Sequence, residues 1–328
     1  MKAATKILFI SKGEDSASTR YRALQFFPLL QAAGYEASHA TVAGSPGTYL
    51  RALRLAAAAD IVVVLRKTFP GPLLRLLRRV SRKLVFDFDD AIFCNTDGTP
   101  SPTRMRRFGA MAAACDQLLA GNRFLADNAV RYNQAVTIVP TCLDIARYAG
   151  DYPKSDDSID LVWIGSRSTR KYLVEALPAL RLAAARMPRL RLKIIADFDL
   201  PDAGLSTLAI PWSAASETRE LGSAHIGIAP MRDDDWSRGK CALKVLQYMA
   251  TGLPVVSSAA GANAEIVLPE ETGYLVGDDE AWAARIAELA GDAALRGRMG
   301  TAGRRRAGAD YSLEAGFARL AGAFDALS

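Results

Sequence analysis

The sequence predicts an α/β protein made of two Rossmann-like αβα domains facing an interdomain cleft. Three observations carry this. The segments 6–11, 60–65, 83–88 and 159–164 are short, largely continuous apolar runs, the pattern of strands buried on both faces of a parallel sheet. Helical periodicity separates them. The 328 residues suffice for two ordinary domains, and the polar, patternless stretch 150–158 divides the chain.

The elements follow in order. Residues 6–11 form the first strand, 19–33 a helix stopping at Gly34, and 35–43 a second strand. Strands at 60–65 and 83–88 precede helices at 105–114 and 124–132 and a strand at 136–139. After the linker come a strand at 159–164, a helix at 172–187, a strand at 190–196, a weaker strand at 206–210, and short buried strands at 226–230 and 254–257. The end is helical over 279–290, 293–306 and 313–327. This gives a first domain at 1–152, a second at 153–310, and a terminal helix at 311–328 that returns to the first.

Composition narrows the function classes. Half the chain is apolar, yet no apolar run is long enough to span a bilayer. The start reads as a buried strand rather than a secretory leader, so a cytoplasmic protein is expected. Cys94, Cys115, Cys142 and Cys241 lack metal-type spacing and read as free thiols. With only His39 and His225, a histidine-based metal site or a Ser-His-Asp triad is disfavoured, and His225 reads as a structural residue at a strand end. Residues 1–150 hold 20 Lys and Arg against 11 Asp and Glu, a charge of +9, and the remainder carries −3. The basic focus is 72–83. There Arg75, Arg78, Arg79 and Arg82 share one helical face and Leu73, Leu76, Leu77 and Val80 another. That face is either a solvated helix surface or a contact with the anionic inner face of a membrane. No helix-turn-helix, zinc finger or aromatic-basic RNA motif is present, so nucleic acid is not expected as a partner.

Chemistry in such folds sits at the carboxyl ends of strands. After the first strand, 11–22 has one glycine where a dinucleotide fingerprint needs three, which excludes a nicotinamide site. Ser18 or Thr19 can cap the helix there, and Arg20 and Arg22 are candidates to reach into the cleft. Asp87, Asp89 and Asp90 crowd the end of a buried strand, where mutual repulsion and lost hydration have to be compensated. Three readings compete. Asp87 and Asp89 have the spacing of a haloacid-dehalogenase-type phosphatase, but Asp90-Ala91 stands where that family has Gly-Thr. Asp89 or Asp90 can instead face the cleft and bind substrate hydroxyls. A metal-binding Asp-x-Asp is the third, and the double sandwich argues against it. In the second half, Gly165 permits a tight turn after a strand, and Ser166, Ser168 and Thr169 can donate to phosphate oxygens or cap the next helix.

The segment 236–256 is the most informative. It reads as a loop, a helix, a Gly turn and a buried strand, with Gly239, Lys240 and Lys244 where the helix begins. Free N–H groups and the partial positive charge of a helix start, joined by two lysines, suit a diphosphate.

Together these segments resemble the family 4 glycosyltransferases (glycosyl transferase group 1), which have the GT-B fold. The motifs are Trp-Ile-Gly-Ser-x-Ser-Thr at 163–169, Ile-Pro-Trp-Ser at 210–213, Ile-Gly-Ile-Ala-Pro-Met at 226–231, Asp-Trp-Ser-Arg-Gly-Lys-Cys at 235–241 and Leu-Gln-Tyr-Met-Ala-Thr-Gly-Leu-Pro-Val-Val at 246–256. Further ones lie at 261–267, 273–276, 298–304 and 311–312. Order and spacing make the match specific over 160–312, and the first half matches more loosely.

The resemblance implies retaining transfer of a sugar from a nucleotide-diphosphate sugar to a carbohydrate or lipid-linked acceptor. The nucleotide-sugar would be a co-substrate, with no cofactor and no metal. Gly165, Ser166, Ser168, Thr169, Lys240 and Lys244 would surround the diphosphate, Arg238, Gly239 and Cys241 would join them in binding the donor, and Pro211 and Trp212 would lie beside the base. Gln247 stands where many members carry a ribose-binding glutamate. Ser18, Thr19 and Arg20 would meet the acceptor, while Asp89, Asp90 and Lys240 would act at the reacting centre. The chain departs from the pattern: a glutamate pair eight residues apart is replaced by Gly239 and Gln247. A phosphatase using Asp87, or a catalytically silent nucleotide-sugar-binding partner protein, are the alternatives.

Overall fold

A computed structural model describes residues 4–327. The chain forms two compact units. The first comprises Met1–Cys142, Asp234–Cys241 and Leu313–Ser328, and the second Leu143–Asp233 and Ala242–Ser312. The short segment bearing Lys240 thus belongs to the first unit, whereas Lys244 belongs to the second.

The first unit holds a six-stranded parallel sheet in the order β2-β1-β3-β4-β5-β6. Its strands are β1 (Thr5–Ser11), β2 (Tyr35–Thr41), β3 (Ile61–Leu65), β4 (Lys83–Phe88), β5 (Gln117–Ala120) and β6 (Val136–Ile138). The chain runs outward from β1 to β2 and then returns to the other side of β1, so strand order reverses between β1 and β3. In such sheets ligands bind beyond the carboxyl ends of the strands at the reversal. Phe86, Phe88, Phe93 and Phe108 fill one face, with Phe88 and Phe108 edge to face at 5.1 Å. On the other face Leu320, Ala323 and Phe324 of the helix Leu313–Asp325 pack with Phe9 and Phe26.

The second unit repeats the architecture in the order β12-β11-β10-β7-β8-β9. These are β7 (Ile159–Ile164), β8 (Leu190–Ala196), β9 (Thr207–Pro211), β10 (Ile226–Ala229), β11 (Val255–Ser258) and β12 (Gly273–Val276). Its reversal falls between β7 and β10. There the buried Tyr248 hydroxyl joins the two diverging strands. It accepts from the Ile164 N–H at 3.0 Å and donates to the Ile228 carbonyl at 3.2 Å. Gly227 makes room for that ring, since a Cβ at 227 would lie 2.4 Å from it.

Proline breaks two of the expected helices. The one expected at 19–33 is split into Ala17–Arg22, a 3₁₀ turn at Leu24–Phe26, and Phe27–Ala32, with Pro28 in the first turn of the last piece. The one expected at 172–187 becomes Arg170–Glu175 and Leu177–Arg186, with Pro178 opening the second. Proline lacks the N–H that would continue the ladder. The helix Pro46–Ala58 and strand β5 are additions to the sequence reading. The basic helix is Gly71–Val80, so Arg82 lies beyond it. Leu74 and Leu77 are its buried residues, and Leu76, expected on the apolar face, is exposed. Among the described residues, no helix is long and apolar enough to cross a membrane.

Candidate functional site

In the first unit, charged groups gather at the carboxyl end of β4. The three carboxylates crowded there are compensated by Arg22 at Asp87, and by Ser18, Lys240 and a shared Arg66 at Asp89 and Asp90. Asp87 is buried and held by both arms of Arg22, Nε to Oδ1 at 2.9 Å and Nη2 to Oδ2 at 2.6 Å. Arg22 also donates to the Val139 carbonyl. Burial alone would lower the Arg22 guanidinium, but Asp87 holds it above its ordinary value. Asp87 is therefore a structural anchor. A carboxylate with both oxygens occupied by a buried guanidinium is not available as a nucleophile, which removes the physical basis of the phosphatase reading.

Asp90 lies between two cations. Its Oδ1 accepts from Lys240 Nζ at 2.7 Å, and its Oδ2 pairs with the Arg66 guanidinium. Burial raises the Asp90 carboxyl above its ordinary value while Lys240 and Arg66 oppose the rise. Asp89 accepts from the Ser18 hydroxyl at 3.0 Å and lies 3.3 Å from Arg66 Nε. Arg66 also donates to the Ser18 oxygen.

Ser18, Asp89, Asp90 and Lys240 are thus brought together, and Arg66 is the member the sequence reading missed. It directly follows β3 at φ 49°, a backbone conformation that is costly for a side chain with a Cβ and recurs at functional sites. Its signal in the sequence was an Arg-Lys pair ending a buried strand. Neither Ser18 nor Thr19 caps a helix, because Ser16 is the N-cap. Thr19 is buried and donates to Ser11 Oγ at 2.8 Å, which in turn contacts His39 Nε2 at 2.8 Å, so it serves a different network from Ser18. Arg20 is half-buried on the same short helix.

The segment 234–241 is fastened to this end of β4. Asn122 Nδ2 donates to the carbonyls of Arg238 at 2.9 Å and Lys240 at 3.0 Å. Cys241 Sγ donates to the Asp89 carbonyl at 3.3 Å, and burial, with Asp89 beside it, drives its thiol far up. Gly239 is required by contact, since a Cβ there would lie 2.5 Å from the Ala91 Cβ and 2.6 Å from its nitrogen. The Lys240 ammonium sits 4.1 Å from the centre of the Trp236 ring. Lys240 is accordingly not at a helix start, as expected, but in the ion pair. A turn of helix, Asp235–Arg238, ends before it, and the next helix, Leu243–Ala250, starts after it.

In the second unit the groups converge on Trp163 near the end of β7. A Cβ on Gly165 would lie 2.3 Å from the indole and 2.7 Å from Thr169 Oγ1, so only glycine fits. Lys244 Nζ sits 4.4 Å above the same indole. Trp163 is fully buried, and its Nε1 has no hydrogen-bond partner among the described residues. Thr169 Oγ1 accepts from the Ser166 N–H at 3.1 Å, and the Ser166 and Ser168 hydroxyls are 2.9 Å apart on the exposed loop. Lys244 lies in the first turn of the helix Leu243–Ala250. That helix follows Ala242 in the left-handed region (φ 51°), and no side chain caps it. A bare helix start with a lysine in its first turn favours an anion. Pro211 closes β9, and Trp212, 41% exposed, donates its Nε1–H to Glu217 Oε2 at 2.8 Å. Gln247 is buried and donates to Glu217 Oε1 at 2.9 Å. Glu217 is a second functional candidate that the sequence reading missed, and no motif marked it.

A family model described as Glycosyl transferases group 1 matches residues 159–292. No curated protein sequence matches the chain. Solved structures similar to it along its whole length include a sucrose-phosphate synthase from Thermosynechococcus elongatus, with TM-score 0.75, 17% identity, and 98% of this chain and 99% of that one covered. A glycosyltransferase from Rickettsia africae ESF-5 has TM-score 0.77 and 14% identity, covering 99% of this chain and 98% of that one. HepE from Anabaena, solved with UDP and glucose, has TM-score 0.70 and 14% identity, covering 98% of this chain and 100% of that one.

Proposed function

We propose that this chain is a glycosyltransferase of the group 1 type and that it moves a sugar from a nucleotide-diphosphate sugar to a carbohydrate or lipid-linked acceptor, with retention and without a metal; the family match over residues 159–292 and the shared fold support this reading. The observation that carries the reading is the uncapped start of the helix Leu243–Ala250, with Lys244 beside Trp163 and Gly165. These groups, with the hydroxyls of Ser166, Ser168 and Thr169, suit a diphosphate. Trp212 beside Pro211 suits the base, and Gln247 the ribose.

In the transfer, the bond between the anomeric carbon and the phosphate oxygen breaks, and negative charge grows on that oxygen. Cations and N–H dipoles already oriented stabilise it without reorganising. The acceptor hydroxyl attacks from the leaving-group face and gives its proton to the departing phosphate. Asp90 and Asp89, oriented by Lys240 and Arg66, hold sugar hydroxyls, and Ser18, Thr19 and Arg20 serve the acceptor side. Arg238, Gly239 and Cys241 keep Lys240 in place.

The test is a panel of sugar nucleotides with UDP, GDP or ADP as the leaving group, with release of the diphosphate and anomeric configuration of the product as readouts. Transfer that survives chelation of divalent metals and is lost in Lys244→Ala is expected. Binding of a nucleotide with neither transfer nor slow donor hydrolysis would identify a silent partner protein instead.

Synthesis of a polysaccharide or glycolipid at the cytoplasmic face of the membrane is the proposed setting. Arg75, Arg79 and Leu76 are exposed together on the helix Gly71–Val80, a basic surface with an apolar centre. Arg78 pairs with Asp116 and Arg82 with Asp60, so they contribute less. Sedimentation with anionic vesicles at low salt, weakened in Arg75→Ala/Arg79→Ala, is expected. No sedimentation of the wild type would remove the membrane contact.

A further inference from the structure

Glu217 lies at the centre of a polar network in the second unit. Its Oε2 accepts from the Trp212 indole N–H at 2.8 Å, and its Oε1 from the Tyr148 hydroxyl at 2.9 Å and the Gln247 amide at 2.9 Å. Gln247 Nε2 also lies 3.4 Å from the Tyr148 oxygen. Glu217, Tyr148 and Gln247 are buried, while the ring of Trp212 remains partly open to solvent. A buried carboxylate is costly unless its lone pairs are used, and a fully satisfied buried network is rigid. Two consequences follow. The Trp212 N–H is spent on Glu217, so the indole offers a ligand its face rather than a hydrogen bond. The Gln247 amide must turn its NH₂ toward Glu217, which points its oxygen the other way. A glutamate at 247 would set two carboxylates about as close as the present 2.9 Å contact, and their repulsion would break the network.

We propose that Glu217 is a positioning residue for nucleoside recognition. It fixes the Trp212 face for stacking on a base and fixes the Gln247 carbonyl oxygen to accept from a ribose hydroxyl. This rests on the reading of the second unit as the nucleotide-binding one. Stacking on an indole face is tolerant of base identity, because every base has a π-face. Selection then falls on the hydroxyl read by Gln247, and the amide at 247 and the acid at 217 form one exchanged pair.

The experiment titrates UDP, GDP and ADP into the wild type and into Glu217→Gln, Gln247→Glu, the Glu217→Gln/Gln247→Glu exchange and Trp212→Phe, and measures donor KM and kcat for each. Each single change at 217 or 247 is expected to raise the dissociation constant of the tightest nucleotide and the donor KM about tenfold, with kcat little changed. The exchange should recover most of that loss, which a purely structural role in folding would not do through KM. Trp212→Phe keeps an aromatic ring at an exposed site while losing the tether and part of the stacking face, and it carries the test if a change at 217 prevents folding. It should also weaken binding. Nucleotide affinity unaltered in Glu217→Gln and in Trp212→Phe, with a binding-competent wild type, overturns the role of Glu217 alone. A wild type that binds none of the three nucleotides overturns both this role and the function on which it rests.

Discussion

Lys240 and Asp90, 150 residues apart in sequence, form an ion pair of 2.7 Å at the carboxyl end of β4. The lysine is held from two directions, by the carboxylate and by the Trp236 ring. Its ammonium is therefore oriented before any ligand arrives. Removing one such oriented charge costs about 10²–10³-fold in turnover. Lys240→Ala should lower kcat by about that factor in a donor-consumption assay and leave the melting temperature close to wild type, because Arg66 still neutralises Asp90. Unimpaired turnover would refute a role for Lys240 in the reaction.

Gly239 tests whether the placement of Lys240 matters as much as its charge. Gly239→Ala sets a methyl 2.5 Å from the Ala91 Cβ and 2.6 Å from the Ala91 nitrogen, and backbone cannot yield cheaply. The segment 235–241 must lift from Ala91, carrying Lys240 away from Asp90. We expect a loss of turnover comparable to that of Lys240→Ala although no charge is removed. Wild-type kinetics in Gly239→Ala would show that the contact is slack.

Arg22 and Asp87 are a buried pair with side chains 1% and 3% exposed. Removing one partner of such a pair strands the other and costs about 3–5 kcal/mol. Arg22→Met should lower the unfolding free energy read from urea titration by that amount, whereas Asp87→Asn, which keeps an acceptor for Arg22, should cost less. Neither variant should alter the release of phosphate from a generic phosphomonoester, because Asp87 is an anchor and not a nucleophile. An Asp87-dependent phosphatase activity would overturn the assignment.

His225 sets a pH dependence. Its Nδ1 accepts from the Asp160 N–H at 3.0 Å, which requires an unprotonated nitrogen. Burial, with the charges of Lys154 and Arg296 nearby, pushes its pKa from 6.5 down to about 4. As pH falls below about 6.5 the unfolded chain takes up a proton that the folded chain refuses until about pH 4, so stability falls through that window. It is complete above the window. In His225→Asn, an amide oxygen takes over the acceptor, and the part of the decline between pH 6.5 and 4 that belongs to residue 225 should vanish. An identical pH profile in the variant would show that other groups produce it.

Ten of the twelve described strands were legible, most of them as short apolar runs, whereas β5 (Gln117–Ala120) and β12 (Gly273–Val276), four residues each, were not read as strands. Prolines at 28 and 178 were also visible, yet periodicity on either side of them outweighed the break. The helix Pro46–Ala58 starts on Ser45-Pro46, a good start signal that the sequence reading did not use. In the basic helix, pairing the leucines by spacing put Leu76 on the apolar face. Packing buries Leu77 as expected and Leu74 in place of Leu76, since the helix docks by shape as well as by period.

By itself the sequence determined the fold class, the strand ends where polar residues collect, and the type of chemistry those residues suit, since these depend on local pattern and on glycine at turns. Tertiary structure alone decided the partners. Asp87 goes to Arg22, Asp90 to Lys240 and Arg66, and Gln247 to Glu217, because ion pairs and hydrogen bonds between residues 24 to 150 apart are set by which strand ends and loops the topology brings together. No one-dimensional spacing encodes that choice.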